Sequence, residues 1–215
     1  MVAVSAHSGC GKWSLPSESG PGEWMPEIKG IELCVNGYHA CREQDLVTWL
    51  GPAIYELEYD PACEYIEGDD KVVCGRARLV RKLDTWNERT ARLFACDCAE
   101  SVVRLCGNDG RPREAIRVAR LFADGKATKH ELKAAGVSAA LSAEDARIAA
   151  CAAGYTDGYT AGDAAEAAAS ATNTCAGTGA FQSTLWSAWA TKSAARAVMD
   201  EHANNLFAYL RGEKC

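Results

Sequence analysis

The sequence has no surplus of positive charge. Its 215 residues carry 23 Lys and Arg against 29 Asp and Glu, which gives a formal net charge of −6. The acidic excess lies entirely within residues 1–86, whereas residues 87–215 carry equal numbers of acidic and basic side chains. A surface that binds nucleic acid needs clustered Lys and Arg to neutralise phosphates. The composition therefore argues against nucleic acid as a partner.

Long apolar segments are absent as well. No stretch approaches the ~20 consecutive apolar residues that a membrane-spanning helix requires. The first residues show neither the basic stretch nor the apolar run that is typical of a signal peptide. We therefore expect no membrane association and a cytoplasmic location. In that compartment the cysteines, of which there are eleven, are expected to be reduced thiols.

The common catalytic and metal-binding motifs are missing too. Nothing matches the phosphate loop G-x4-G-K-[ST], the nucleophile elbow G-x-S-x-G or the zinc-protease motif H-E-x-x-H. Cys34, His39 and Cys41 are residue types that bind zinc. Their C-x4-H-x-C spacing differs from paired zinc knuckles, and no second close pair completes a set of four ligands. We predict no metal and no cofactor.

The first part of the chain shows the alternation of apolar and polar residues that β-strands produce. Residues 53–59 and 72–83 each alternate, as expected for half-buried strands of an antiparallel sheet. The pattern predicts that Glu56 and Glu58 pair with arginines of the second strand, Arg76 and Arg78. Upstream, the Asn36-Gly37 dipeptide predicts a hairpin turn within residues 31–41.

The period changes to that of helices after Trp86. From Asn87 onwards the apolar residues follow helical spacing, and the later part of the chain is rich in alanine. The predicted fold class is therefore α+β. We expect a small acidic domain with a mostly antiparallel sheet over residues 1–86, followed by an alanine-rich helical bundle over residues 87–215.

Residues 10–86 resemble an uncharacterised domain found at the N-terminus of many phage and prophage proteins. The matching features are Gly22-Glu23-Trp24 with Pro26, and then the segment 34–41, which contains the G-[FY]-H-x-C core. The resemblance implies a phage or prophage origin and therefore a bacterial host.

Residues 88–210 resemble a helical domain described as an immunity protein of bacterial toxin systems. The resemblance depends on the segment 91–100, A-R-L-F-A-C-D-C-A-E, and on the segment 111–116, R-P-R-E-A-I. It implies a protein partner and a role in binding or sequestration, of an immunity-like or anti-defence kind, rather than in catalysis.

A third resemblance gives the alternative function. Residues 4–9 are similar to an early strand of ADP-ribosyltransferase folds, and residues 37–40 to a later strand that leads into a short helix. This resemblance would make a small nucleotide the ligand. His39, Tyr38 and His7 are the catalytic candidates on this interpretation. The late glutamate of that fold has no counterpart, because Glu56 and Glu58 lie too early in the chain.

Four arginines are the candidate binding residues of the helical domain. At helical spacing, Arg113, Arg117 and Arg120 share one stripe, and Arg111 lies just before it. Such a stripe forms either an anion-binding patch or an ordinary solvated face, because acidic residues interleave with it. The alternatives for His39 also stay open, since its ring nitrogens could hold nearby backbone groups instead of a ligand.

Overall fold

The computed structural model describes residues 2–3, 7–153, 158–173 and 196–214. The chain divides into two compact units, Met1–Trp86 and Asn87–Cys215. Small antiparallel sheets form the first unit and helices form the second. The predicted α+β class is therefore confirmed.

The described strands of the N-terminal unit form three small sheets. One has the order β1-β5-β8, the second is the pair β2-β3, and the third has the order β4-β7-β6, all antiparallel. The strands are β1 (Val2–Ala3), β2 (His7–Ser8), β3 (Gly11–Lys12), β4 (Tyr38–Ala40), β5 (Tyr55–Tyr59), β6 (Tyr65–Glu67), β7 (Val72–Cys74) and β8 (Ala77–Lys82). A 3₁₀ helix at Glu43–Trp49 follows β4.

The segment predicted as one long strand, residues 72–83, is two strands that belong to different sheets. The break falls at Gly75, whose carbonyl accepts the amide hydrogen of Ile28 at 2.7 Å. A Cβ at Gly75 would also lie only 2.7 Å from the carbonyl oxygen of Ile28. The close approach of the irregular segment before β4 therefore requires glycine here and interrupts the strand.

The arginine pairing across β5 and β8 is shifted relative to the prediction. Arg78 does pair with Glu58, at 2.7 Å, but the partner of Glu56 is Arg81. A register shift between Glu56 and Leu57 moves the pairing along β8, as a β-bulge does. Arg76 pairs instead with Asp60, at 3.2 Å.

The turn before β4 also lies upstream of its predicted position. Backbone bonds between Glu32 and Asn36 close a tight turn around Cys34, which adopts φ +65°. The strand that follows, β4, pairs with β7 rather than with residues 31–35. The Asn36-Gly37 dipeptide therefore ends the turn instead of forming its centre.

The described helices of the second unit are five. They are α1 (Glu88–Val102), α2 (Arg111–Ala123), α3 (Lys129–Ala153), α4 (Gly158–Asn173) and α5 (Arg196–Leu210), with a short 3₁₀ helix at Val103–Cys106. Asn87 caps α1, because its side chain accepts the amide hydrogens of Arg89 and Thr90. Pro112 occupies the first turn of α2, where its missing N–H costs nothing.

Small side chains fill the core of this unit. Many alanines of α1, α2, α3 and α4 are almost completely buried, and Cys96 and Leu132 pack among them. Alanine allows helix backbones to approach closely, so the alanine-rich composition forms a tightly packed bundle. Among the described residues, no helix has both the length and the apolar character that crossing a bilayer requires.

Candidate functional site

Both ring nitrogens of His39 hold the turn that precedes its own strand. Nε2 accepts the amide hydrogen of Cys34 at 2.8 Å, and Nδ1 lies 3.1 Å from the carbonyl oxygen of Gly37. Because Nε2 is an acceptor, the proton of the neutral ring sits on Nδ1 and is donated to Gly37. The Cys34 residue that His39 supports has positive φ, which is uncommon outside glycine. His39 thus stabilises a strained turn.

Tyr38 anchors the irregular segment on the other side of β4. Its ring is only 1% exposed and lies 5.2 Å from the ring of Trp13, measured between centroids. The hydroxyl donates to the carbonyl of Pro26 at 2.8 Å. Burial, followed by the nearby thiol of Cys10, raises the pKa of Tyr38. The third catalytic candidate, His7, lies in β2, and its side chain is outside the described residues.

A nucleotide pocket of ADP-ribosyltransferase type would use groups that are already occupied in this arrangement. A ligand hydrogen bond to His39 would have to replace one of the two bonds that hold the turn. Tyr38 is 1% exposed and packs against Trp13, so stacking on a nicotinamide ring would require it to leave the core. The catalytic role of these residues stays a prediction, and the geometry favours the supporting role.

The cysteines around His39 are placed differently from one another. Cys34 is exposed, whereas Cys41 is buried. Burial, with a contribution from Asp45, raises the pKa of Cys41 to about 12, so its thiol is protonated at neutral pH, whereas zinc binds the thiolate. Across the described ranges, no three His, Cys, Asp or Glu side chains are grouped closely enough to hold a metal ion.

Replacing His39 by alanine is expected to lower the free energy of unfolding by about 1–3 kcal/mol, because the amide of Cys34 and the carbonyl of Gly37 lose their partner. Urea unfolding followed by tryptophan fluorescence measures the change. Val35→Ala is the matched control, since Val35 lies in the same turn with 71% of its surface exposed. A His39→Ala protein as stable as the control would show that the turn does not depend on the imidazole.

The four candidate arginines do not form a single patch. Arg113 and Arg117 are exposed on α2, whereas Arg120 is partly buried against α1. Arg117 makes a bidentate pair with Glu114, with bonds of 2.7 and 2.6 Å. Arg113 donates to the carbonyl oxygens of Gly107 and Asp109, at 2.9 and 3.1 Å, and so closes the turn before α2.

Arg111 belongs to a separate charged cluster at the start of α2. It makes a bidentate pair with Asp109 and a further bond of 2.8 Å to Asp145 of α3. The hydroxyl of Ser142 donates to Asp109 at 2.7 Å. Arg111 and Ser142 hold the pKa of Asp109 well below its ordinary value. A cleft of about 240 Å³ opens beside the cluster and is lined by Cys106, Asp109, Ser142, Asp145 and Ala146.

Arg120 takes part in a second cluster, which connects α1, α2 and the C-terminal helix. Asp97 lies at its centre with 13% of its side chain exposed. It accepts from Arg120 at 2.7 Å, from the hydroxyl of Tyr209 at 3.0 Å and from Lys214 at 3.0 Å. Arg120 also pairs with the exposed Glu100. Burial and the Asp97 carboxylate raise the pKa of Tyr209.

The sequence interpretation missed the carboxylates of both clusters. Asp97 could have been noticed, because it interrupts a run of α1 residues that are otherwise buried and apolar. Its partners Tyr209 and Lys214 are 112 and 117 positions away in the chain. Asp109 lies between the 3₁₀ helix at Val103–Cys106 and α2, outside the arginine stripe. Spacing along one helix reveals neither contact.

The comparisons with known proteins match only part of the chain. Residues 81–172 match the model of a family described as "Imm-5 like putative immunity protein". No curated protein and no solved structure gave a match. The matched span contains α1, α2, α3 and all of α4 except its last residue, and with them the four candidate arginines. His7, Tyr38 and His39 lie outside it. The helical part of this chain is therefore similar to an immunity-protein family.

Proposed function

We propose that this chain is an immunity-like protein, which binds a protein toxin and holds it inactive by sequestration rather than by catalysis. The observation that carries the proposal is the family match over residues 81–172, which covers most of the helical unit. A binding role also suits the arrangement of the helical unit, where charged side chains are fixed by ion pairs. Charges held in position before binding lower the entropic cost of an interface.

The exposed side of α2, together with the cleft beside it, is the contact surface that we propose. Arg117 and Glu114 present both signs of charge, with 60% and 53% of their side chains exposed. The carboxylates Asp109 and Asp145 border the cleft at the N-terminal end of α2. A surface of this mixed kind selects its partner by charge complementarity and speeds association.

The biological setting that we propose is a bacterial cytoplasm, with the gene carried by a phage or prophage. The resemblance of residues 10–86 to a phage and prophage domain supports this setting. An immunity-like protein in that context would act in conflict between phage and host, as an anti-defence or a protective factor. The acidic excess of residues 1–86 supports a protein partner over nucleic acid.

The experiment is capture of the toxin from the native cells with the full chain, followed by binding measurements on the captured protein. Arg117→Glu is expected to weaken binding about tenfold or more, since it replaces an attractive charge by a repulsive one. Arg211→Glu is the matched control, because Arg211 is 56% exposed and also makes a bidentate pair, with Glu213.

Comparing the two substitutions tests the proposed contact surface separately from the proposed function. Equal binding by the Arg117→Glu and Arg211→Glu proteins would place the contact elsewhere on the chain. A captured protein whose toxicity is unchanged by saturating amounts of this chain would contradict the immunity-like function itself.

A further inference from the structure

Helix α3 exposes a stripe of large apolar side chains. Val137, Leu141 and Ile148 are 54%, 57% and 59% exposed, while Leu132 and Ala139 on the opposite side are 3% and 0% exposed. At 100° per residue, the three exposed side chains lie within about 40° of one another around the helix. Exposed apolar residues aligned in this way mark an interaction surface rather than scattered surface positions.

On one flank of this stripe the charges are arranged so that the surface complements itself. Lys133 lies towards the N-terminal end of the stripe and Glu144 towards its C-terminal end, and both are exposed. At 100° per residue they fall on the same flank, about 20° apart around the axis. One flank of the stripe therefore carries a positive charge at one end and a negative charge at the other.

We propose that α3 pairs with α3 of a second copy of this chain, in antiparallel orientation about a two-fold axis. With the axis midway between Val137 and Leu141, Val137 of each copy faces Leu141 of the other. Under this symmetry residues of one flank face the same flank of the second copy. Lys133 then lies beside Glu144 of the second copy, and the pair occurs twice.

Charge complementarity identifies a second copy as the partner that covers the stripe, and it sets the orientation of that copy. A parallel pair about a two-fold axis would bring opposite flanks of the stripe together, so Lys133 would not lie beside Glu144 of the second copy and neither ion pair would form. A highly charged partner would favour a stripe flanked by a single sign of charge, whereas this flank carries one charge of each sign. A single helix face is smaller than the ~1,200 Å² of a standard interface, so the dimer forms reversibly with concentration.

The stripe lies on α3, whereas the proposed toxin contact is centred on α2 and reaches α3 only at the cleft beside Asp145. The dimer is therefore tested on this chain alone, without the toxin, so that its failure is separate from failure of the proposed function. The test is sedimentation velocity of the full chain under reducing conditions, from micromolar to millimolar concentrations. We expect a reversible monomer–dimer equilibrium that weakens with added salt, as exposed ion pairs do. A chain that stays monomeric throughout this range would overturn the proposal.

Four variants identify the interface within that experiment. Leu141→Glu is expected to abolish the dimer, while Leu105→Glu, at another exposed leucine (37%), leaves it unchanged. Lys133→Glu is expected to raise the dissociation constant about tenfold, since two attractive pairs become repulsive. Adding Glu144→Lys to Lys133→Glu restores both pairs and the wild-type constant. A dimer that survives Leu141→Glu, or a charge swap without recovery, would refute the antiparallel pairing.

Discussion

Replacing Gly37 by alanine is expected to lower the free energy of unfolding of the N-terminal unit by about 3 kcal/mol or more. Gly37 has φ +114°, a conformation that an L side chain rarely adopts. A Cβ there would overlap Cγ2 of Val73, which is fully buried, and would approach Cγ2 of Ile31 to 3.2 Å. Valine is stiff and cannot turn its methyl group away. Backbone strain and overpacking therefore add.

Gly30→Ala is the matched control for this prediction. Gly30 also has positive φ, +64°, but nothing lies within 4 Å of the position of its Cβ. The Gly30→Ala protein should lose only the ~1–2 kcal/mol of unfolding free energy that backbone strain costs. Urea unfolding monitored by tryptophan fluorescence compares the two proteins. Equal losses would show that the contact between Gly37 and β7 contributes nothing beyond the backbone conformation.

Asp97→Ala is expected to destabilise the helical unit by about 2–4 kcal/mol. The substitution removes the acceptor shared by Arg120, Tyr209 and Lys214, and it leaves the hydroxyl of the buried Tyr209 without this partner. Breaking a largely buried charged network costs far more than breaking a surface pair. Because Tyr209 belongs to α5, hydrogen exchange should also accelerate in the described residues 203–210.

Glu100→Ala is the control, and it tests whether an exposed carboxylate paired with Arg120 contributes less to stability than the largely buried Asp97. Glu100 pairs with the same arginine, but 61% of its side chain is exposed. Its loss should cost at most about 1 kcal/mol, as for exposed ion pairs. Equal destabilisation by the two substitutions would contradict the view that Asp97 is the centre of the cluster.

The fold class could be predicted from the sequence because it depends on local periodicity. Alternation around Leu57 places that residue in the core, and the change of period after Trp86 separates strands from helices. The exact ion-pair partners across the two strands could not be predicted. A bulge after Glu56 moves its pairing to Arg81, and a bulge depends on packing between strands rather than on the residues of one strand.

The candidate site was predictable to a smaller extent. The sequence singled out His39 as a candidate, and in the structure both of its ring nitrogens lie against backbone groups of the turn before β4. The arginine stripe of α2 was visible in the sequence, but the carboxylates that divide it into separate clusters come from distant positions, such as Asp97 and Asp145. Long-range pairing has no signature in helical spacing.

Growth of a strain that lacks the gene for this chain, in contact with its parent strain, tests the immunity-like function most directly. We expect the parent to inhibit the deletion strain, and a plasmid copy of the full chain to restore growth. A copy carrying Arg211→Glu should protect equally well, and one carrying Arg117→Glu should protect poorly. A deletion strain that grows beside its parent as well as the parent itself would contradict the immunity-like function.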